Sequence, residues 1–439
     1  MGVGYDGTKV EDPKVLDRMR ADWNQRASED AYYYVAFGRR EQDDEEFFST
    51  ATDVIKGLEW DLKRVRGRDA ALEIGCGPGR LMLPMARHFT EIHGVDVSDE
   101  MVRLAGEHLR NTPNAHAHLS SGSDLAEFPD DKFDFVYSFA VFQHIPSREV
   151  VFNYLREARR VLKPGGVLRC QMNGLPPHAK QYDTWNGVRI APDEISNFAL
   201  EQDLQLLVLE QIWTQYMWIT CRKRPAGWTQ SLEGRQVAPS VMIRNISNAL
   251  TGESVAPASG AMAALSLWVE RLPEECGLHH LTVFADGKPC RLTYIGEPEK
   301  DGITQVNVAL PQGLRTGMVQ VWMKWLDRPL SFPAWVRIMP AGPSVPRIST
   351  ITDGVNLLSG TRIVTRSVKV TMLEVADASQ FGATIDGMDA VDVDSFCADP
   401  TTQRWEFNFR LPAGIYSGAH EVQVRLGRRT FPPLAIEVA

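Results

Sequence analysis

Little in this chain argues for cross-links, metals or nucleic acid. Its six cysteines, Cys76, Cys170, Cys221, Cys276, Cys290 and Cys397, form no CxxC pair and no metal-ligand spacing. A chain of this length needs no staples, so reduced thiols and no metal site are expected. Positive charge is not in excess either: 47 Lys and Arg stand against 56 Asp and Glu, a formal charge of −9. A broad nucleic-acid footprint rests on clustered Lys and Arg neutralising phosphates, and this balance disfavours one. No apolar run approaches the roughly 20 residues needed to span a bilayer, so no membrane association is expected. The opening MGVGYDGTKVEDPKV lacks a basic segment followed by an apolar one, and Asp6 stands where a myristoylation signal would want Ser or Thr. No secretory signal is therefore read there, and a cytoplasmic protein is the default.

What is present exceeds one hydrophobic core. With 439 residues, 44% hydrophobic and 23% charged, two or three domains are expected. From about Asp69 to Arg222, apolar β-like runs alternate with helical ones, the rhythm of βαβ units and a parallel sheet. ALEI (71–74), HGVDV (93–97), FDFVYSFAV (133–141) and GGVLRCQM (165–172) read as strands. LMLPMARHF (81–89), DEMVRLAGEHL (99–109) and SREVVFNYLREARRVL (147–162) read as helices, and Asp193-Glu194 opens one more. LQLLVLEQIW (204–213) and YMWITCRK (216–223) then suit an antiparallel hairpin at a sheet edge. Upstream, WNQRASEDAYYYVAFG and QDDEEFFSTATDVIKGLEWDL look helical and could cap the sheet.

Beyond Arg224 the helical signal fades and an internal repeat appears. LPQGLRTG (310–317) recurs as LPAGIYSG (411–418), each followed by an alternating run and a Phe-Pro pair and preceded by an Asp-Gly pair, Asp286-Gly287 and Asp386-Gly387. The period of about 100 residues is that of an immunoglobulin-like sandwich, although no Cys-Trp-Cys core pattern is present.

The strongest chemical signal is ALEIGCGPGR. Glu73 closes a strand, and Gly75, Gly77 and Gly79 form the turn into a helix, where a backbone must approach a ligand with dihedrals that a Cβ would forbid. The dinucleotide fingerprint G-x-G-x-x-G would place its third glycine at position 80, which is Arg80, so a nicotinamide-dependent oxidoreductase fails there. The pattern instead resembles motif I of the class I S-adenosylmethionine-dependent methyltransferases, of the type 11 kind, and the likeness runs through most of residues 69–172.

That resemblance implies S-adenosylmethionine as cofactor, with the glycine loop, Cys76 included, backing its methionine part. VDVSDEM (95–101) is similar to the family's second strand end, which implies that Asp96 accepts hydrogen bonds from the ribose hydroxyls beside Val97 and Met101. SDLAEFP (123–129) resembles the adenine-side segment and brings in Ser123, Asp124 and Leu125. FDFVYSFAVFQHIP (133–146) resembles the fourth strand and its loop, with Ser138 and Phe139, and RRVLKPGG (159–166) the turn before the fifth. A sulfonium methyl is already activated, so in-line displacement mainly needs an aligned acceptor; a base helps only if the acceptor is protonated. His144 and Tyr33 are the catalytic candidates, with Tyr32 and Tyr34 beside the latter. NGLPPHAKQYDTWNGVRIAP (173–192) carries His178, Tyr182, Asp183 and Trp185 in a loop long enough to recognise an acceptor.

The expected architecture is an α/β doubly wound, Rossmann-like methyltransferase sheet domain followed by two all-β Ig-like sandwiches that weakly resemble the IPT/TIG branch. Its division is 1–68 as an N-terminal helical cap or lid of the catalytic domain, 69–230 as the methyltransferase core, and 238–341 and 343–439 as the sandwiches. The function read is methyl transfer to a small-molecule or glycan acceptor, with the sandwiches open to self-association or a protein partner. The alternative is an adenosylmethionine-binding scaffold or sensor whose sandwiches carry a binding function. Glu73, Gly75, Gly77, Gly79 and Asp96, all in place, favour the enzyme.

Overall fold

The computed structural model describes residues 13–36, 40–176, 182–232, 235, 241–341, 346–356, 359–375, 377–399 and 403–439. The chain forms two compact units: Met1–Val35, Asp43–Gln236 and Glu275–His279 make the first, and Ala36–Gln42, Val237–Glu274 and His280–Ala439 the second. No helix among the described residues is long and apolar enough to cross a membrane.

In the first unit, helices α1 (Pro13–Ala36), α2 (Asp44–Ser49) and α3 (Thr52–Asp61) precede the sheet. Strands β1 (Ala70–Ile74), β2 (Glu91–Asp96), β3 (Ala115–Leu119), β4 (Phe133–Ser138) and β5 (Leu162–Met172) alternate with α4 (Met82–Met85), α5 (Asp99–Leu109) and α6 (Arg148–Val161). Helix α7 (Pro192–Glu201), strands β6 (Leu204–Glu210) and β7 (Met217–Lys223) and the short helix α8 (Trp228–Ser231) follow. The order across the sheet is β3-β2-β1-β4-β5-β7-β6. The first five strands run parallel, and β7 is antiparallel to both neighbours. Strand order reverses between β1 and β4, so the loops leaving those two strands diverge and open a crevice at their carboxyl ends.

The sheet is covered on both faces, which is why β1 and β4 read as continuous apolar runs rather than alternating ones. Helix α6 buries Val150, Val151, Tyr154, Leu155, Ala158 and Val161 in one core; α3 and α5 supply Ile55, Leu58, Ala105 and Leu109 to another. Ser147 and Ser98 cap α6 and α5, their hydroxyls accepting the amides of Val150 and Met101.

Two elements differ from the sequence expectation. The run 81–89 is one short turn, α4, followed by a 3₁₀ turn at Ala86–His88. Strand β3, AHAHL, was not expected because alternating Ala and His lacks the β-branched signature. It forms as an edge strand by register on β2, with His93 opposite His116.

The second unit is all β. Strands β8 (Met242–Asn248), β9 (Val255–Pro257), β10 (Ala264–Glu270), β11 (Leu281–Ala285), β12 (Lys288–Ile295), β13 (Ile303–Ala309), β14 (Gly317–Trp325), β15 (Arg328–Pro329) and β16 (Ala334–Met339) form the first repeat. The second has β17 (Arg347–Asp353), β18 (Arg362–Ile363), β19 (Ser367–Leu373), β20 (Phe381–Ile385), β21 (Met388–Asp389), β22 (Val391–Asp399), β23 (Arg404–Arg410), β24 (Gly418–Leu426), β25 (Arg429–Thr430) and β26 (Leu434–Val438). There the sheets β17-β19-β23-β22 and β18-β26-β24-β20-β21 bury one core between them, with Val370 and Phe407 from one and Ile385, Val422 and Ile436 from the other. Both Asp-Gly pairs are hairpin turns: φ is positive at Asp286, Gly287, Asp386 and Gly387, the two-residue geometry that matches strand twist.

Candidate active site

The segments that leave the carboxyl ends of β1, β2, β3 and β4 form the site. The first leaves β1 through Gly75, Gly77 and Gly79, whose φ values are +74°, +50° and +85°. A Cβ on Gly75 would lie 2.3 Å from Val141 of the β4 loop, so this glycine is fixed by both dihedral and space. The Gly75 and Cys76 amides donate to the Val95 carbonyl at 2.8 and 3.0 Å, binding the loop to the end of β2. Burial pushes the Cys76 thiol far up, which leaves it packing rather than reacting.

Asp96 closes the second loop. One carboxylate oxygen accepts the Gly77 amide at 2.9 Å and the other the Ser98 amide at 2.9 Å. Burial raises its pKa, and those amides oppose the rise. The Val97 amide also opposes the rise, and the side chain is partly exposed. Val97 lies beside Gly122, and Met101 is buried in α5.

Glu73 is buried and accepts the Tyr137 hydroxyl at 2.9 Å, the two facing each other in the β1–β4 register. Burial pushes its carboxyl up to about 8, against the pull of that hydroxyl and of the Arg80 charge. Arg80 is itself buried, donates to the Thr50 hydroxyl at 3.1 Å, and has an Nε with no partner among the described residues. Burial lowers its pKa to about 10.

The third segment, Ser120–Leu125, lies beside the β2 loop. Ser123 and Leu125 are buried, the Leu125 amide donates to Glu157 at 3.2 Å, and Asp124 is half-exposed. Ser138 donates to the Ile74 carbonyl at 2.8 Å, linking the ends of β4 and β1. Phe139 turns the other way and stacks on Trp218 at 5.7 Å.

Helix α1 crosses these loops. Arg20 donates to the carbonyls of Val97 and Ser120 at 3.2 and 3.1 Å, and Asn24 accepts the Ser98 hydroxyl at 2.6 Å. Val35 is the side chain nearest Gly77. The helix breaks at Asp30, whose ψ is 85°, and the Asp30 carboxylate accepts the Tyr33 amide to restart it. Tyr33 is buried edge-on to Tyr34, while Tyr32 stacks on Phe47 and donates to Asp44 at 2.6 Å.

His144 is buried with both ring nitrogens engaged. Nδ1 donates to the Trp185 carbonyl and Nε2 accepts from the Gln143 amide, each at 3.2 Å. Burial drops its pKa to about 4, with the Arg26 charge adding to the shift, so the imidazole is neutral near pH 7. Trp23 meets the His144 ring edge-on at 5.5 Å, and Arg26 lies over Trp23 and Trp185 at 4.7 and 5.3 Å while donating to Thr184. Asp183 and Trp185 are thus gathered near α1 through Arg26, while Tyr182 packs against the core to which α6 contributes; His178 lies outside the described residues. Among the described residues no group of three His, Cys, Asp or Glu could hold a metal ion.

The structure brings together Glu73, Gly75, Cys76, Gly77, Gly79, Asp96, Val97, Met101, Ser138 and the Ser123–Leu125 segment. It places His144 and Trp185 on a second flank, with Phe139 beside Arg80. Sequence reasoning missed Arg20, Asn24, Arg26 and the role of Arg80. For Arg80 a signal existed, a lone cation directly after the glycine loop.

Residues 72–170 match the family model described as a methyltransferase domain. The chain is 35% identical over 105 residues to phosphoethanolamine N-methyltransferase 2 of Caenorhabditis elegans, covering 24% of this chain and 23% of the relative. It is 33% identical over 98 residues to the ubiquinone biosynthesis O-methyltransferase of Xanthomonas oryzae pv. oryzae, covering 22% and 40%. The match therefore spans less than half the length of these relatives. Among solved structures, a methyltransferase from Methanosarcina mazei aligns at 20% identity and a TM-score of 0.31, over 37% of this chain and 96% of that one. Phosphoethanolamine N-methyltransferase 1 of Haemonchus contortus aligns at 14% identity and a TM-score of 0.37, over 51% and 50%.

Proposed function

We propose that this chain, whose residues 72–170 form a class I methyltransferase domain, binds S-adenosylmethionine at the crevice between β1 and β4 and transfers its methyl group to a small-molecule or glycan acceptor. The observation that carries the reading is Asp96. It stands at the end of the strand beside the glycine turn, with the Gly77 amide on one oxygen, the Ser98 amide on the other and the side chain partly exposed. That carboxylate fits a ribose diol, since a partly exposed carboxylate held in place by backbone amides is pre-oriented to accept hydrogen bonds from two hydroxyls.

When bound, the cofactor supplies a methyl activated on its sulfonium. The chain's work is placement. Gly75, Cys76, Gly77 and Gly79 let backbone lie against the methionine part, with Glu73 and Arg80 as the charged groups behind it. Val97, Met101, Ser123, Asp124 and Leu125 line the nucleoside side, Ser138 fixes the β1 and β4 ends, and Phe139, stacked on Trp218, backs Arg80. Helix α1, pinned by Arg20 and Asn24, closes over the loop and excludes water.

In-line displacement needs the acceptor about 3 Å from the methyl and aligned with it. Trp185, Tyr182, Asp183 and the Arg26 guanidinium offer aromatic faces and hydrogen bonds suited to a small polar acceptor. Of the two candidate bases, His144 has both nitrogens occupied and serves to hold the acceptor loop, while Tyr33 is buried against Tyr34. Positioning rather than proton removal therefore carries the proposed reaction. Methyl-labelled cofactor incubated with the full chain and separate pools of phosphorylated amines, phenols and oligosaccharides tests it: label should pass to one pool, and no transfer to any of them, with cofactor bound, would favour the sensor reading.

A further inference from the structure

The two all-β repeats form an internal comparison. In the first, β14 buries Val319, Val321, Met323 and Trp325 and turns Met318, Gln320, Trp322 and Lys324 outward. Strand β11 presents Thr282 and Phe284 on that same outer face, and β16 presents Trp335 and Arg337. Register sets Phe284 opposite Trp322, Trp335 opposite Gln320 and Arg337 opposite Met318. The Phe284 and Trp322 rings stack with centroids 4.4 Å apart and 10° between planes, and the Lys324 ammonium lies 5.9 Å from the Phe284 ring. Trp335 is 56% exposed and Met318 54%. Three neighbouring strands thus hold an aromatic band about 10 Å wide, bordered by Thr282, Gln320, Lys324 and Arg337.

The second repeat has the same backbone register without the band. The amide of Asp286 donates to Gln320, and the amide of the equivalent Asp386 to Glu421. From that anchor, Phe284 corresponds to Thr384, Trp322 to Gln423, and Trp335 to Ala435. The sandwich therefore closes equally well with a hydroxyl, an amide and a methyl on this face. The aromatics are not demanded by folding, and leaving large rings in water carries a solubility cost, so their presence in one repeat points to a ligand.

We propose that the outer face of β11, β14 and β16 is a binding platform for an acidic polysaccharide, a chain bearing uronic acid residues. One face of a pyranose ring is a patch of polarised C–H bonds that stacks on the negative face of an indole or phenyl ring, and its rim is hydroxyls. A sheet face offers that stacking in an open, flat run rather than a closed pocket, with Gln320 and Thr282 at hydrogen-bond positions beside it. Lys324 and Arg337 supply the charge complement for carboxylates. A stable protein interface is a poorer match: about 800 Å² per partner is standard, and three aromatic side chains supply no more than about 150–250 Å² each when fully covered.

Affinity electrophoresis of the native full chain through gels carrying polygalacturonate, alginate or the neutral hydroxyethylcellulose tests the proposal. Retardation by polygalacturonate or alginate is expected, and Trp335→Ala and Trp322→Ala should each weaken it about tenfold or more. Tyr416→Ala, which removes the exposed aromatic of the second repeat, should leave retardation intact, and Arg337→Ala should weaken it while circular dichroism stays native. No retardation by either acidic polymer, equal retardation by the neutral one, or retardation that survives both tryptophan substitutions would overturn the proposal. The assay contains no methyl donor, so its outcome is independent of the catalytic reading.

Discussion

The Ser98 hydroxyl donates to the Asn24 side-chain carbonyl at 2.6 Å, joining the N-cap of α5 to helix α1 across 74 residues of sequence. The cap that follows Asp96 and the helix above it are therefore one mechanical unit. If α1 is a lid, binding of adenosylhomocysteine should slow amide exchange across residues 20–35, together with Gly75–Gly79. Protection confined to the glycine loop would make α1 a static cap. Asn24→Ala should raise exchange in α1 of the free protein roughly tenfold, the worth of about one hydrogen bond.

His144 gives a second test of placement against proton removal. With Nδ1 donating to the Trp185 carbonyl, His144→Ala should loosen residues 183–188, raising their exchange about tenfold, while cofactor affinity changes less than about twofold. Unaltered exchange with loss of the acidic limb of a methyl-transfer pH profile would return His144 to the role of base.

The glycine turn, β1, β2 and β4 were legible because each is specified by adjacent residues: a glycine fixed by its own dihedral, or a strand apolar on both faces. Strand β3 was not, since AHAHL becomes a strand only by pairing at the sheet edge with Glu91–Asp96. Arg20 and Asn24 escaped for a related reason. Arg20 bonds Val97 and Ser120, which lie 77 and 100 residues away, and no local periodicity encodes such a partner. Phe284 and Trp322 lie 38 residues apart, and only the register of β11 on β14 brings them face to face.

The boundary expected near residue 230 has a measurable consequence. Gln205 donates to the Cys276 carbonyl at 2.7 Å and the Leu278 amide to Leu206 at 2.9 Å, all within the first unit. A chain ending at residue 236 loses both partners and leaves the buried Gln205 amide with one fewer bond, costing about 1–3 kcal/mol. It should fold with a lower Tm than the full chain and still bind cofactor; an unchanged Tm would show that Glu275–His279 adds no stability.

Acid should destabilise the first unit through His93. Its Nδ1 lies 3.0 Å from His118 Nε2, and Glu91, Lys132 and His116 surround the pair. Burial lowers the His93 pKa to about 4, with the Glu91 hydrogen bond opposing and Lys132 adding to the fall. A base whose folded pKa is depressed binds its proton first in the unfolded chain. Its contribution is therefore complete above the unfolded value of about 6.5 and is lost as pH falls toward 4. Tm measured from pH 7 to 4 should drop, and His93→Leu, set among Phe128 and Phe133, should flatten that drop. An identical pH slope in both proteins would remove His93 from the account.

The proposed cofactor site rests on the Asp96 carboxylate, held by Gly77 and Ser98, receiving the ribose of adenosylmethionine. Calorimetric titration of the full chain with S-adenosylhomocysteine, repeated on Asp96→Asn, measures it most directly. A charge-assisted hydrogen bond contributes roughly 1.5–3 kcal/mol, so the substituted protein, folded by circular dichroism, should bind about tenfold to a hundredfold more weakly. Equal affinity in the two proteins, or no heat of binding from the native chain, would contradict the claim.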